Sequence, residues 1–119
     1  MPGISKMKNL IVVTGGSGFV GSNLIKSLLK QTNKKIISLD NYSSGNKKNH
    51  VKNNRVKYLK VDTVDISKHL KHLKNKIHSI FHFGEFARIY QSFLQMGKCI
   101  ESNTIGTNAV FNYCLVNNV

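Results

Sequence analysis

Four glycines stand within seven residues, from Gly15 to Gly21, in the segment "IVVTGGSGFVGSNL". An apolar, β-branched run precedes them and a helical pattern follows. Glycine loses more backbone entropy on folding than any other residue, so such a cluster needs a conformational reason. The candidates are a phosphate cradle, a plain tight turn and low complexity.

The surrounding pattern alternates strands and helices. Predicted strands cover Leu10–Thr14, Lys35–Leu39, Val56–Val61 and Ile77–Phe83, and predicted helices cover Phe19 to about Lys30, Ile66–Leu73 and a stretch from Gly97 through Asn117. Such alternation predicts an α/β fold, a doubly wound parallel sheet with helices on both faces. Ligands bind such sheets at the carboxyl ends of the strands, where the conspicuous motifs of this chain lie.

Helical spacing predicts which side chains face the core. The first helix should bury Val20, Leu24, Ile25, Leu28 and Leu29. The second should bury Ile66, Leu70 and Leu73 in line with Ile77, with Lys68, Lys71 and Lys74 on the solvated side. On the last helix, the residues predicted to face inward are Asn103, Gly106, Thr107, Val110, Phe111 and Cys114.

Composition narrows the class of protein. The net charge is +13, which suggests an anionic partner, but arginine, the usual reader of bases, is almost absent and the lysines are scattered. We therefore predict no specific nucleic-acid partner. No apolar run approaches the roughly 20 residues that span a bilayer, and no cleavage site follows the N-terminal apolar stretch, so we predict a cytoplasmic protein without membrane association. Cys99 and Cys114 are predicted to be reduced, half-buried thiols rather than a disulfide or a pair of metal ligands.

The glycines have distinct predicted roles. Gly15 allows the tight turn off the strand, Gly18 lets backbone approach a pyrophosphate at the helix N-terminus, and Gly21 lets the helix pack close to the sheet. A Walker A loop has a lysine directly after its last glycine. Ser22 stands there instead, which argues against NTP hydrolysis.

A second signal is Asp40, which ends the second predicted strand 19 residues after Gly21. Dinucleotide-binding folds carry an acidic residue about 20 residues on, where its carboxylate hydrogen-bonds the adenosine ribose. A carboxylate there repels a 2′-phosphate, which favours NAD over NADP. A simple strand-end turn is the alternative for Asp40, and the neighbouring Lys47 and Lys48 keep NADP open.

Five segments carry a family resemblance. "TGGSGFVGSNL" resembles the Thr-Gly-x-x-Gly-x-x-Gly fingerprint of the extended short-chain dehydrogenase/reductase family. "LDNYSSGN", "YLKVDTVD", "IFHFGEFARIYQSF" and "ESNTIGTNAVFNYC" resemble, in order, later segments of its NAD-dependent epimerases and dehydratases of nucleotide sugars, such as UDP-glucose 4-epimerase. The resemblance runs from Lys8 to Val119. It implies a Rossmann-like fold in which residues 1–119 are the first half, a truncated NAD(P)-binding domain of about four strands.

The resemblance also implies roles for single residues. Asp40 and Asn41 would hold the adenosine ribose, Asp62 would contact the adenine amino group with Thr63 beside it, and Asn103 would have a structural and cofactor-side role. The residues expected to contact the cofactor are Gly15, Gly18, Phe19, Val20, Gly21, Asp40, Asn41, Ser43, Ser44, Gly45, Asp62, Thr63, Phe83, Gly84, Glu85 and Asn103.

Two departures from the family pattern stand out. After the fourth strand the family has two small residues, and here the second is Glu85, which could pair with Arg88 or mark an altered substrate pocket. The family's catalytic Tyr-x-x-x-Lys pair is also missing, because none of the four tyrosines has a lysine four residues on. No catalytic residue is assigned, and His82 is interpreted as a packed core histidine.

These features favour the NAD-binding portion of a nucleotide-sugar epimerase or dehydratase, without the catalytic half and the sugar-binding region, and inactive alone. The complete enzyme would take a nucleotide-sugar substrate, and a homodimer of it is left open. The alternatives are a non-catalytic NAD-binding module and a basic protein associated with nucleic acid.

Overall fold

Four strands form one sheet in the order β3-β2-β1-β4, in a computed structural model that describes residues 8–43, 45–84 and 105–119. The strands are β1 (Leu10–Thr14), β2 (Lys35–Asp40), β3 (Val56–Lys60) and β4 (Ile77–His82). The α-helices described are α1 (Phe19–Gln31), α2 (Ile66–Leu70) and α3 (Thr107–Asn117). Short 3₁₀ helices lie at Lys47–Asn49, Thr63–Asp65 and Lys71–Leu73.

Every strand pairing in this sheet is parallel, as the alternating pattern predicts. Val12 of β1 is in register with Ile37 of β2 on one side and with Ile80 of β4 on the other. The chain therefore leaves β1 in one direction to build β2 and β3, and returns to its other side for β4. Such a reversal of strand order opens a crevice at the carboxyl edge, where ligands of α/β sheets bind.

Both faces of the sheet are covered, which confirms the doubly wound arrangement. On one face, Ile11, Val13 and Ile36 pack with Ile25 of α1. On the other face, alternate strand residues pack with the remaining helices, in a cluster formed by Val12, Leu39, Val61, Ile66, Leu70, Leu73, Ile77, Val110 and Tyr113. Alternation along buried strands sends successive side chains to opposite cores, so continuous apolar runs are required.

The predicted element bounds need small corrections. β3 ends at Lys60 and β4 at His82, one residue before the predicted ends at Val61 and Phe83. The predicted helix over 66–73 is α-helical only through Leu70 and then tightens into a 3₁₀ turn. The part of the last predicted helix before residue 105 lies outside the described residues.

The predicted helix faces are correct for α2 and wrong at two residues elsewhere. Val20 in the first turn of α1 is 57% exposed, and its neighbour Phe19 is 82% exposed. Phe111 of α3 is 65% exposed, whereas its neighbour Tyr113 is fully buried. The apolar residues of α3 are spread around the whole helix, so their spacing in the sequence does not define an inner face. Contact with α2 defines it instead.

Tyr113 joins α3 to α2 through a buried hydrogen bond, because its hydroxyl donates to the Leu70 carbonyl oxygen at 2.5 Å. Burial raises the pKa of Tyr113 from 10.0 to about 12. The folded-state pKa lies above the unfolded value, so the associated stability is intact below pH 10 and is lost as the pH rises toward 12.

We therefore expect a Tyr113→Phe variant to be less stable at neutral pH by about 1 kcal/mol, the net value of one hydrogen bond. Between pH 10 and 12 it should lose less stability than the parent chain does. Urea unfolding at pH 7, 10 and 11 measures both effects. Equal alkaline losses in the two proteins would contradict this account of Tyr113.

Arg55, one of two arginines in the chain, caps the C-terminal end of α1 through hydrogen bonds. Its guanidinium donates to the carbonyl oxygens of Leu29 at 2.5 Å, Thr32 at 2.8 Å and Lys34 at 3.1 Å. Carbonyls at a helix C-terminus lack intrahelical partners and carry partial negative charge, which a cation satisfies. This arginine is therefore engaged in structure rather than available to an external anion.

Within residues 8–43, 45–84 and 105–119, no helix combines the length and the apolar character that a membrane crossing requires. Cys114 is a free, half-buried thiol, as predicted, and burial raises its pKa. Cys99 lies outside the described residues.

Candidate cofactor cleft

A cleft lies at the carboxyl edge of the sheet. Its lining comes from the ends of all four strands and the segments after them, namely Gly15, Gly18, Leu39, Asp40, Asn41, Ser43, Gly45, Val61, Thr63, Phe83 and Gly84. The motifs separated in sequence thus meet in one crevice.

Gly15 turns the chain sharply off β1. Its φ is +71°, a conformation that residues with a side chain rarely adopt. A Cβ at this position would also lie 2.6 Å from the Phe83 carbonyl oxygen. Glycine is therefore required both for the turn and for the close approach of the segment after β4.

Gly18 is the N-cap residue of α1 and faces the cleft. The helix start has no side-chain cap and no acidic residue in its first turn. The first N–H groups of a helix have no intrahelical partner, and the helix dipole adds partial positive charge there. This helix start therefore offers an anion the backbone donors that a phosphate group needs.

Gly21 lies behind this loop rather than in the cleft lining. A Cβ on it would overlap the Gly15 carbonyl oxygen and lie 2.9 Å from the Gly16 Cα. The close packing predicted for Gly21 is present, but its contact is the glycine turn and not the strands. Phe19 and Val20 are likewise absent from the lining, and their side chains are exposed beside it.

Asp40 is held in the cleft wall by two backbone donors. Its Oδ2 accepts from the Ser17 N–H at 3.0 Å and its Oδ1 accepts from the Tyr42 N–H at 2.8 Å. The residue is 8% exposed. Each carboxylate oxygen can accept more than one hydrogen bond, so a ribose hydroxyl can still be bound.

The loop after Asp40 folds back over this carboxylate. Asn41 forms a tight local turn, its Oδ1 accepting from the Ser43 N–H at 2.9 Å. Gly45 lies so close that a Cβ there would be 2.6 Å from Asp40 Oδ2. A side chain at Gly45 would therefore displace the carboxylate. Ser44 lies outside the described residues.

Asp62 and Thr63 follow β3 and have different placements. Asp62 is the N-cap of the next 3₁₀ turn, with its Oδ1 accepting from the Val64 N–H at 3.5 Å, and it is absent from the cleft lining. Thr63 is buried and lines the cleft. Its Cγ2 would lie 2.8 Å from a Cβ on Gly84, so glycine is needed there.

The segment after β4 is fixed by a threonine and a histidine. Gly84 N–H donates to Thr14 Oγ1 at 3.0 Å, and the same oxygen lies 2.6 Å from His82 Nδ1. The other ring nitrogen of His82 lies 3.0 Å from Thr107 Oγ1. His82 thus links β1, β4 and α3 through both ring nitrogens. It is only half-buried, so it is a hydrogen-bonded linker rather than the packed core histidine that was predicted.

Of the residues expected at the cofactor, nine line the cleft, namely Gly15, Gly18, Asp40, Asn41, Ser43, Gly45, Thr63, Phe83 and Gly84. Glu85, its neighbour Arg88, and Asn103 lie outside the described residues. Sequence reasoning missed the two apolar walls, Leu39 and Val61. Their signal was available, because each directly precedes an aspartate assigned to the site.

Known proteins are similar to this chain in sequence and in fold. A sequence model of the NAD dependent epimerase/dehydratase family matches residues 11–119. The chain belongs to this family. The resemblance inferred from the five motif segments is therefore confirmed.

Individual members of the family are similar over most of the chain. A dTDP-D-glucose 4,6-dehydratase from Dictyostelium discoideum is 33% identical over 111 residues, covering 87% of this chain and 25% of the dehydratase. An epimerase structure from Methanothermobacter thermautotrophicus has a TM-score of 0.83 at 28% identity, covering 97% of this chain and 34% of that protein. A UDP-glucose 4-epimerase from Thermus thermophilus, in complex with NAD, has a TM-score of 0.79 at 25% identity, covering 92% of this chain and 35% of that protein.

The chain spans about a quarter of the dehydratase and about a third of each of the two epimerase structures. Its Rossmann-like sheet corresponds to that share of the two epimerase structures.

Proposed function

We propose that the chain binds NAD in the cleft at the carboxyl edge of its sheet, as the NAD-binding portion of an enzyme that acts on a nucleotide-linked sugar. The observation that carries the proposal is the pairing of two features in one cleft. An uncapped helix start at Gly18 offers donors for a pyrophosphate, and a buried carboxylate at Asp40 offers acceptors for ribose hydroxyls.

The residues present fit this cofactor. Leu39 and Val61 supply apolar walls between the polar ends of the cleft. Gly15 and Gly18 supply backbone without side chains where the pyrophosphate would lie. Gly84, whose N–H donates to Thr14, has no side chain, so the cofactor could approach the backbone after β4 closely. The chemistry that bound NAD would supply is hydride transfer with the sugar. The residues of this chain would bind the cofactor and orient it.

The roles proposed for the remaining residues follow from their positions. Phe19, Val20 and Gly21 would act through the backbone at the start of α1, since their side chains do not line the cleft. Asp62 would contact the adenine from the rim, beside the lining residue Thr63. Ser44, Glu85 and Asn103 complete the proposed site. The substrate class is proposed from the family, whose members include enzymes of dTDP- and UDP-linked sugars.

The Asp40→Ala variant tests the ribose contact. The parent chain should bind NAD more tightly than NADP, because the carboxylate would repel a 2′-phosphate. Losing a hydrogen bond to a charged group costs about 1.5–3 kcal/mol, so the variant should bind NAD about tenfold more weakly or worse. It should also discriminate less against NADP. Calorimetric titration with both nucleotides measures the two effects.

Two further variants keep this test interpretable. Asp65→Ala removes a carboxylate at an exposed position and should leave NAD affinity unchanged. Asp40→Asn keeps an oxygen acceptor for one backbone donor while removing the charge, so it should fold and still discriminate less. Equal affinities for NAD and NADP in the parent chain would remove the ribose role of Asp40.

We expect no epimerase or dehydratase turnover from the 119-residue chain with NAD and a panel of UDP- and dTDP-hexoses. No tyrosine in it is followed four residues later by lysine, the pair that serves as general acid and base in the resembling enzymes. Such catalysis contributes about 10²–10⁴-fold in rate. Clear turnover by this chain would show that other groups do the chemistry, with His82, Glu85 and Arg88 the first to test.

A further inference from the structure

The two residues whose backbone N–H groups hold Asp40 both contact one nitrogen atom of His50 through their side chains. Ser17 and Tyr42 donate their N–H groups to the two carboxylate oxygens of Asp40. Their side-chain hydroxyls both approach Nε2 of His50, at 3.0 Å from Ser17 Oγ and 2.8 Å from Tyr42 Oη. Asp40, Ser17, His50 and Tyr42 thus form a closed ring of hydrogen bonds beside the cleft.

The histidine in this ring is anchored to the sheet. Its imidazole stacks on the ring of Tyr58 in β3, with centroids 3.8 Å apart and planes 10° from parallel. The Tyr58 hydroxyl accepts from the Val51 N–H at 2.7 Å, and burial raises the pKa of this tyrosine. His50 therefore has a defined position before any ligand binds.

Both partners of His50 need such support. Tyr42 has a φ of +63°, the left-handed region that a bulky side chain rarely occupies, so surrounding contacts must hold it there. Ser17 is fully buried in the glycine loop, and its carbonyl oxygen accepts from Asn46 N at 3.0 Å and from Asn49 Nδ2 at 2.8 Å. The glycine loop and the loop after Asp40 are thereby fastened together.

We propose that His50 is a positioning residue for the adenosine-ribose side of the cleft: its Nε2 holds Ser17 and Tyr42, whose N–H groups aim the Asp40 carboxylate. The inference rests on the proposed NAD function, because Asp40 is the ribose acceptor there. His50 lies ten residues beyond Asp40 and is absent from the cleft lining, so it acts through the carboxylate and not on the ligand.

A matched pair of variants separates hydrogen bonding from packing. His50→Phe keeps a ring to stack on Tyr58 and removes the bonds to Ser17 and Tyr42. His50→Gln removes the ring and keeps a polar group near the position of Nε2. The proposal expects His50→Phe to weaken NAD binding about five- to tenfold, the range for loss of one or two ordinary hydrogen bonds, and His50→Gln to stay within about twofold. A packing role predicts the reverse order.

A double variant tests whether His50 acts through Asp40. In the Asp40→Ala background, adding His50→Phe should cause no further loss of NAD affinity beyond about twofold, since the group it positions is gone. A full additional loss would overturn the inference. The exposed residue His69 provides the control, because His69→Phe makes the same chemical change away from the cleft and should alter nothing.

Amide hydrogen exchange gives a readout that needs no NAD. In His50→Phe, exchange of the Ser17 and Tyr42 amides should be faster by about fivefold, and in His50→Gln it should match the parent chain. If the parent chain fails to bind NAD, the proposed function fails, and exchange then decides only whether His50 positions the Asp40 carboxylate. Unchanged exchange of both amides in His50→Phe overturns that positioning role, whatever the NAD affinities are.

Discussion

The Gly18→Val variant is expected to keep its fold and to lose NAD binding. Gly18 lines the cleft and has an extended backbone with φ −82° and ψ 178°, which valine adopts without strain. A Cβ there would meet only the Gly15 carbonyl oxygen, at 3.3 Å, a tight contact that a small shift relieves. The valine methyl groups would occupy the space where a pyrophosphate must approach the helix start.

The expected loss is at least about 100-fold in NAD affinity, since both steric exclusion and loss of the helix N–H donors act on the same group. Calorimetry measures the affinity, and far-ultraviolet circular dichroism checks that helix content is retained. Gly18→Ala adds only the Cβ and should fall between the parent and Gly18→Val. Retention of parent affinity by Gly18→Val would reduce the glycine cluster to a turn without a ligand.

Gly21→Val, the same chemical change three residues later, is expected to damage the fold itself. A Cβ on Gly21 would overlap the Gly15 carbonyl oxygen and lie 2.9 Å from the Gly15 carbonyl carbon and the Gly16 Cα. These are backbone atoms, which cannot rotate away as a side chain can. Overpacking costs about 1–3 kcal/mol even where side chains can adjust, so we expect about 3 kcal/mol or more here.

Such a loss is a large part of the roughly 5–15 kcal/mol that stabilises a domain. Thermal unfolding should show a midpoint lowered by more than about 10 °C, or no cooperative transition at all. Gly18→Val is the matched control, because it carries the same side chain at the N-cap of the same helix and should melt close to the parent chain. A Gly21→Val variant as stable as that control would contradict the close packing of α1 on the glycine turn.

The sheet and the glycine turn could be predicted because their signals are local. β1 has the predicted bounds Leu10–Thr14, since a β-branched apolar run ends abruptly at glycine. Asp40 could be predicted because the spacing from Gly21 and the end of an apolar strand agree. Parallel pairing followed from alternation alone, because strands separated by helices must run in the same direction.

Other features depend on contacts that the sequence does not encode locally. Gly16 is an example, since a Cβ on it would overlap the Ser38 hydroxyl, a contact between the glycine turn and the middle of β2. The ring around His50 joins residues separated by up to 33 positions through a loop without periodicity. Phe111 is exposed although it was predicted to face inward, and Tyr113 is buried without having been predicted, because only packing against α2 distinguishes the faces of α3.

Titration of the ¹⁵N-labelled chain with NAD, followed by NMR, tests most directly whether NAD binds in the cleft at the carboxyl edge of the sheet. Binding there should give saturable shifts of the amides of Gly15, Gly18, Asn41, Gly45 and Gly84, with no shift at Ser67 and Lys68 on the exposed side of α2. An absence of shifts, or weak shifts spread over the lysine-rich surface without saturation, would contradict it.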